Sequence, residues 1–274
     1  MKKILVPTDF SKEAENALKV ASQLAKKHDA EIYLLHMLEL PLHQVDALTV
    51  SSELPEAMFF MKLAHKKFEE TLAKNYLQGV TVHETVDFHE SLTEINNVAK
   101  EKGIDIIIMG SHGVSGFKEM FIGSNAEKVV RTSEVPVLVI KNEHQNFSVR
   151  NFVFASDFKN DSKETYKQAA KLAEFFEATL HLVLVNTANS FLTTAEAKER
   201  IQNFIKGVPF ENYTVNIYND KTVESGILNF SHTLSADLIG ISTHGRQGIA
   251  HFFNGSISED IVNHAKRPVI TFKI

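Results

Sequence analysis

The chain contains neither cysteine nor tryptophan. Without cysteine it can form no disulfide bond, no thiolate zinc site and no cysteine nucleophile. It also lacks any apolar run of about 18 residues, the length that a transmembrane helix needs, so we expect no membrane partner. The apolar run at the N-terminus is too short for a secretory signal peptide. Together these absences predict a cytoplasmic protein.

An excess of positive charge is also missing. Lysine and arginine number 29 against 34 aspartates and glutamates, which gives a formal net charge of −5. Nucleic-acid binding usually requires a basic face, so we expect no nucleic-acid partner. The 13 histidines include no H-E-x-x-H pair, and we therefore predict no metal site built from side chains.

What the sequence does contain is a long internal repeat. Residues 4–10 match residues 152–158, and residues 104–141 match residues 236–273 without gaps. The two offsets, 148 and 132, differ by 16 residues, so the first half carries about 16 extra residues, which we assign to segment 39–56. Two long copies indicate duplication of a whole domain rather than a solenoid. We predict one domain at 1–143 and a second at 148–274.

Each half alternates short apolar runs with amphipathic segments, as expected for strands separated by helices. Continuous apolar strands of this kind are typical of a parallel, doubly wound α/β sheet that is covered on both faces. Such sheets bind ligands at the carboxyl ends of their strands. Asp9 and the pair Met109–Gly110 fall at two of these predicted ends.

A glycine-rich loop follows the fourth predicted strand of each half. In the first half Gly110 and Gly113 are followed, after nine residues, by Gly123 and Ser124. Glycine allows close approach of the backbone to a ligand, and the start of a helix favours phosphate through its free N–H groups and its dipole. The spacing alone therefore makes this loop a candidate phosphate site.

A purely structural role for the same residues stays open. Ser124-x-x-Glu127 and Ser256-x-x-Glu259 both match a capping box, which stabilises the start of a helix without any ligand. The loop matches neither of the common alternatives, because no P-loop and no G-x-G-x-x-G after a strand is present.

Four segments of the first half match a known pattern: Ile4–Ser11, Leu34–Met37, Ile108–Gly113 followed by Gly123–Ser124, and Val135–Val139. These segments resemble the universal stress protein family. The resemblance covers both halves, so the chain is similar to a tandem member. It implies a five-stranded parallel sheet of order 3-2-1-4-5 in each half, ATP as the ligand, and contacts between domains through their last strands.

Site residues follow from this resemblance position by position. It implies that the adenine and ribose lie against Pro7, Thr8, Asp9, Met37, Met109 and Gly110, and that the phosphates lie against Gly113, Gly123, Ser124 and Asn125. Any Mg²⁺ is expected to arrive on the phosphates, since magnesium keeps few protein ligands.

The second half matches this pattern less completely. Its implied nucleotide contacts are Asp157, Val185, Gly245, Gly255 and Ser256. Ser242 replaces the first glycine of the loop and Ala155 replaces the proline at the end of the first strand, and the serine is expected to narrow the pocket. We therefore predict stronger nucleotide binding in the first half.

The leading hypothesis is an adenine-nucleotide-binding regulatory module for stress adaptation. A protein-interaction scaffold on the same fold is the alternative, and a slow ATP hydrolase ranks below both because no catalytic residues are evident near the loops. The last strands, Pro136–Lys141 and Pro268–Ile274, are expected to join the halves as an intramolecular pseudo-dimer. A further homodimer of two chains stays open.

Overall fold

The computed structural model describes residues 1–38, 50–87, 94–111, 123–159, 162–243 and 257–274. Strands and helices alternate through both halves, as the apolar pattern predicts. Within these ranges, none of the helices combines the length and the apolar character needed to cross a membrane.

The elements of the first half are β1 (Lys3–Pro7), α1 (Lys12–His28), β2 (Glu31–Met37), α2 (Val50–Leu72), a short 3₁₀ helix (Asn75–Leu77), β3 (Val82–Asp87), α3 (Glu94–Lys102), β4 (Ile106–Gly110), α4 (Ser124–Thr132) and β5 (Val137–Ile140). The elements of the second half are β6 (Asn151–Ala155), α5 (Lys163–Phe176), β7 (Thr179–Asn186), α6 (Thr194–Ile205), β8 (Tyr213–Asn219), α7 (Val223–Thr233), β9 (Leu238–Thr243), α8 (Ile257–His264) and β10 (Val269–Lys273).

The described strands form one ten-stranded sheet of order β3-β2-β1-β4-β5-β10-β9-β6-β7-β8. Each half therefore has the expected order 3-2-1-4-5, and the predicted α/β fold class is confirmed. Neighbouring strands run parallel within each half. The exception is the junction, where β5 and β10 pair antiparallel with Val139 opposite Val269.

Helices cover both faces of the sheet, and each face has its own apolar core. On one face, helices α1, α2, α5 and α6 pack over alternate strand residues such as Ile4 and Phe152. On the other face, α3, α4, α7 and α8 pack over the residues between them, such as Leu5 and Val153. Strands buried on both faces explain why their sequences are continuously apolar rather than alternating.

The segment between the halves is held by side chains of α1 and by the sheet junction. The amide of Gln23 donates to the backbone oxygen of His144 (2.9 Å), and its oxygen accepts from the backbone N–H of Phe147 (2.6 Å). At the end of β5, the ammonium of Lys141 donates to the carbonyl of Asn263 in α8 (2.5 Å). These contacts fix the path of the chain from one half to the other.

The extra residues of the first half lie partly in α2. This helix spans 23 residues, whereas α6 in the second half spans 12. It begins at Val50, inside segment 39–56, to which we assigned the extra residues. The rest of the extra segment, residues 39–49, lies outside the described residues.

Candidate functional site

The first strand ends in a tight turn that fixes Asp9 at the carboxyl edge of the sheet. The hydroxyl of Thr8 accepts from the N–H of Phe10, and the Asp9 carboxylate accepts from the N–H of Ser11, both at 3.0 Å. Phe10 takes a left-handed conformation with φ of 62°. Ser11 then caps α1 by accepting from the N–H of Ala14 at 3.2 Å. Asp9 is half-buried and held in one orientation by its own turn.

His36, at the end of β2, contacts this turn and stabilises it. Its Nδ1 lies 2.7 Å from the backbone oxygen of Thr8, and because a carbonyl only accepts, Nδ1 carries the proton in this contact. The ring also packs 4.6 Å from that of Phe10, which in turn meets Phe68 of α2 at 5.2 Å. The sequence analysis assigned no role to His36. The one feature of the sequence that pointed to this residue was its position next to Met37, a predicted nucleotide contact.

The second half repeats the hydrogen bonds and the backbone conformation of this turn. Ser156 accepts from the N–H of Phe158 at 3.0 Å, Asp157 accepts from the N–H of Lys159 at 3.1 Å, and Phe158 is again left-handed with φ of 54°. The difference is Lys159, which stands where the first half has Ser11. Its ammonium lies 3.0 Å from the Asp157 carboxylate, so this carboxylate already has a cationic partner.

Helix α5 begins at Lys163, three residues later in the repeat than α1, which begins at Lys12. This helix packs against the end of β9. There, the hydroxyl of Ser242 is hydrogen-bonded to that of Thr165 in α5 at 2.7 Å. Ser242 therefore fills space between strand and helix, a packing role that the sequence did not indicate.

Gly110 is required by the early start of α1. A Cβ on this residue would lie 2.7 Å from both the carbonyl carbon and the carbonyl oxygen of Glu13, and 3.0 Å from the backbone nitrogen of Ala14. The obstacle is helix backbone, which cannot move aside cheaply. Close helix packing thus accounts for this glycine without a ligand.

Helix α4 starts next to the end of β4. The N–H of Gly123 donates to the backbone oxygen of Ser111 at 2.7 Å, and Gly123 is the N-cap, with extended φ and ψ of −61° and 146°. No side chain of the N-cap bonds to the first turn. The capping box predicted from Ser124 is therefore wrong, because Ser124 lies inside the helix and Glu127 instead pairs with Arg131 at 3.2 Å.

The first N–H groups of any helix have no partner inside that helix. The N-cap of α4 is a glycine, which has no side chain to accept hydrogen bonds from these N–H groups. The helix dipole adds positive potential at the same place. The arrangement is suited to an anion such as a phosphate.

The fold brings most of the predicted first-half residues to one edge of the sheet. Strand β1 lies between β2 and β4, so their carboxyl ends are neighbours. At this edge lie Pro7, Thr8, Asp9, Met37, Met109, Gly110, Gly123, Ser124 and Asn125. Met109 is only 6% exposed and its side chain packs in the core under α3 and α4.

Several predicted residues cannot be placed. Gly113, Gly245, Gly255 and Ser256 lie outside the described residues. Of the second-half set, the structure places Asp157 at the end of β6, where it is exposed, and Val185 near the end of β7.

Val185 packs so closely on α7 that a Cβ at Gly226 would collide with its methyl groups. Beside it, the carboxylate of Asp220 accepts from the amide of Asn229 at 2.9 Å and from the backbone N–H of Lys221 at 2.7 Å. These hydrogen bonds, that of Asn229 first, lower the pKa of Asp220. The carboxyl edge of β7 and β8 is thus tied to α7 by packing and hydrogen bonds.

A protein metal site has no support in the described ranges, where no group of three or more histidine, aspartate or glutamate side chains is arranged to hold an ion.

The geometry defines a class first: α/β domains with a doubly wound parallel sheet, a carboxylate at the end of the first strand and a glycine-capped helix after the fourth. The chain belongs to the universal stress protein family, whose family model matches residues 1–141 and 215–273. This confirms the resemblance seen in the sequence motifs.

Individual relatives agree with this assignment. Universal stress protein MJ0577 of Methanocaldococcus jannaschii is 37% identical over 161 residues, which cover 52% of this chain and 96% of that protein. Universal stress protein Slr1230 of Synechocystis is 24% identical over 291 residues and matches 100% of both chains. The match over both full lengths is what a tandem member requires.

Solved structures show the same fold. A universal stress protein from Archaeoglobus fulgidus superposes with a TM-score of 0.68 at 23% identity, covering 99% of this chain and 98% of its own. At this level of identity the likeness concerns the fold, which extends over both halves.

Proposed function

We propose that this chain is a cytoplasmic regulatory module of stress adaptation that binds an adenine nucleotide, ATP, at the carboxyl edge of its first-half sheet. One observation carries the proposal: the fixed carboxylate of Asp9 and the glycine-capped N-terminus of α4 lie at the same edge of the sheet. A carboxylate can accept hydrogen bonds from a base or sugar, and a helix N-terminus favours phosphate.

The residues present fit such a ligand. The N-cap of α4 is Gly123 rather than Ser124, and a glycine has no side chain with which to bond the N–H groups of the first turn. Asp9, with Pro7 and Thr8, would hold the base and sugar, while Gly123, Ser124 and Asn125 would hold the phosphates. Bound ATP would bring Mg²⁺ through its own phosphates.

The second half is proposed to bind nucleotide more weakly. Lys159 pairs with Asp157, the counterpart of Asp9, and must be displaced before the carboxylate can contact a ligand. Both side chains are more than half exposed, so this ion pair is weak and lowers affinity without closing the site.

Calorimetric titration with ATP tests the proposal through a matched pair of variants. Asp9→Asn should weaken binding about tenfold, or about 1.4 kcal/mol, because it removes the charge while the amide oxygen still accepts from Ser11. Asp157→Asn should change the affinity less than threefold. Absence of binding by the native protein, or equal losses in both variants, would contradict the proposal.

Adenosine provides a separate test of the phosphate part of the site. If the N-terminus of α4 contacts the phosphates, ATP should bind at least about tenfold more tightly than adenosine. Ser124→Ala should reduce this difference, with Ser256→Ala as its counterpart in the second half. Equal affinity for ATP and adenosine would remove α4 from the site.

The organisation of the chain is proposed as two domains, 1–143 and 148–274, that form an intramolecular pseudo-dimer. The antiparallel pairing of β5 with β10 supports it. A further homodimer is tested by analytical ultracentrifugation, which separates one chain of 30.8 kDa from an assembly of twice that mass.

A protein-interaction role is a second candidate, favoured by one observation on α2. Met58, Phe59 and Leu63 are 57%, 63% and 45% exposed, unusual for large apolar side chains close together on one helix. Mass spectrometry of the purified protein separates the two roles, since co-purified adenine nucleotide supports the first. Repeated absence of nucleotide, with no binding on titration, supports the second.

A further inference from the structure

The C-terminal ends of α1 and α5 lie against each other, so the two halves touch on this face of the sheet as well as through β5 and β10. The ring of His28 at the end of α1 lies 3.7 Å from that of Phe175 in α5, with 34° between the ring planes. The ammonium of Lys27 lies 3.9 Å from the carboxylate of Glu177. Side chains make both contacts, and one of them is a titratable ring.

The aromatic rings at this place form what we call the helix-end cluster: Phe147, Phe175 and Phe176, with His28 and His144 at its margin. The two rings of α5 are 5.3 Å apart, and that of Phe147 lies 6.3 Å from that of Phe176. The ring of His144 meets that of Phe147 edge to face at 5.5 Å. A histidine of α1 and a histidine of the segment between the halves therefore pack on one group of apolar rings.

The surroundings of His28 favour its neutral form. Its Nε2 is buried and has no hydrogen-bond partner among the described residues, so a proton added there would give a buried charged N–H without an acceptor. Lys27, the N-terminus of Met1 and Lys2 add positive charge nearby, and Glu177 is the opposing negative group. Burial, and after it the charge of Lys27, lower the pKa of His28.

One interaction acts in the opposite direction. An imidazolium that lies over an aromatic face gains a cation–π attraction, and Phe175 offers such a face to His28. A buried charged donor without an acceptor costs more than one such contact gains. The neutral ring of His28 is therefore the form that fits the closed contact.

His144 is subject to the same constraint. Burial lowers its pKa. Lys19, Lys26 and Glu143 lie with it around a small depression, and the carboxylate of Glu143 is already paired with the ammonium of Lys19 at 2.5 Å. The charged groups beside His144 thus offer no surplus of negative charge to a protonated ring.

The repeat shows that packing at the end of the helix does not require a histidine. Position 28 in α1 corresponds to Phe176 in α5, and each is followed by a left-handed C-cap, Asp29 and Glu177. Phe176 is 6% exposed and belongs to the core of that face. The histidine in the first half therefore adds a response to protons to a position that phenylalanine can fill.

We propose that this contact is a pH-sensitive switch: protonation of His28 and His144 separates the ends of α1 and α5, while the pairing of β5 with β10 keeps the halves joined. The proton that opens the contact is taken up at Nε2 of His28. Since both rings bind protons less readily in the closed contact than in water, the contact is complete above about pH 6.5 and is lost as the pH falls below that value.

Amide hydrogen exchange in the full-length protein tests the switch at about pH 7.5 and about pH 5.5. Rates are expressed as protection factors, so that the intrinsic effect of pH on exchange cancels. We expect protection of residues 24–30 and 172–178 to fall at least about fivefold at the lower pH, with a smaller fall in β1 and β6. An equal fall in all four segments, or no fall at the helix ends, overturns the proposal.

A double variant, His28→Phe with His144→Gln, removes both titratable rings and keeps an aromatic ring at the end of α1. The loss of protection at the helix ends between the two pH values should then be less than about twofold. His232→Gln is the control, because His232 is an exposed residue of α7 outside the cluster. A loss that persists in the double variant, or that disappears in the control, contradicts the assignment of the switch to these two histidines.

Coupling between a proton and a contact is reciprocal, so a weaker contact must change how readily His28 takes up its proton. Phe175→Leu removes the ring that faces His28 and should raise the pKa of His28 toward its usual value. The measurement is the pH titration of the Cε1 proton of His28 by NMR. An unchanged or lower value in the variant would show that proton and contact are independent. None of these outcomes depends on ATP binding at the strand-end site.

Discussion

The two halves end their first strand in the same turn and then diverge. Thr8–Phe10 and Ser156–Phe158 share hydrogen bonds and a left-handed phenylalanine, but α1 begins three residues earlier in the repeat than α5. The reason is local: Ser11 can cap a helix, whereas Lys159 has no side-chain acceptor. The N-cap of α5 is instead Ser162, whose side chain makes no capping bond.

The halves also differ at the end of the fourth strand of each half, which is distant from this turn in the sequence. The early first turn of α1 brings the backbone of Glu13 against the end of β4, where only glycine fits. In the second half the matching strand end carries Ser242, whose hydroxyl is hydrogen-bonded to that of Thr165 in α5. The two halves therefore differ at both positions, and the clash at Gly110 exists whether or not a ligand binds.

The largest effect is expected from exchanging the two strand-end residues. Gly110→Ser should destabilise the protein by about 3 kcal/mol, because the new Cβ meets helix backbone at 2.7 Å. Ser242→Gly should cost only about 1 kcal/mol, from one lost hydrogen bond and added chain flexibility. Urea unfolding measures both, and equal costs would show that the two helices pack alike.

A smaller effect should appear with pH at another pair of repeat positions. His181 in β7 is 8% exposed and contacts Thr214 and Asn151 at 2.8 and 3.2 Å, whereas the first half has Tyr33 there. Burial lowers the pKa of His181 below 6.5. The unfolded chain therefore takes up the proton more readily, and stability is lost as the pH falls below about 6.5.

Unfolding free energies measured between pH 5 and 8 check this sign. His181→Gln should flatten the curve below pH 6.5, by at most about 1.4 kcal/mol per pH unit for one proton. A residual slope should remain, because burial also lowers the pKa of His28 and His144. An unchanged slope in the variant would mean that His181 is not protonated on unfolding.

The smallest effect concerns the residues that follow the turn. Ser11→Ala should cost about 1 kcal/mol through loss of the N-cap of α1. Lys159→Ala should change stability by less than about 0.5 kcal/mol, since its ion pair with Asp157 is exposed. If thermal or urea unfolding gave the opposite order, the cap would not be what starts α1 early.

Much of the candidate site could be predicted from the sequence because its residues belong to strand ends. Asp9 and Gly110 lie at the ends of apolar runs, and the position of a strand end in a parallel sheet fixes which edge they occupy. His36 escaped prediction because a lone histidine in a strand gives no sign of the backbone oxygen that it will meet.

The sequence by itself determined the duplication and the alternation of strands and helices, since apolar periodicity and repeated motifs are local signals. The order of the sheet was implied by the resemblance to the universal stress protein family. Tertiary structure alone decided why Gly110 is glycine, why Ser242 is tolerated, and that Gly123 rather than Ser124 caps α4. Each of these depends on distances of a few ångströms between elements far apart in the chain, and such distances are set only when the helices pack on the sheet.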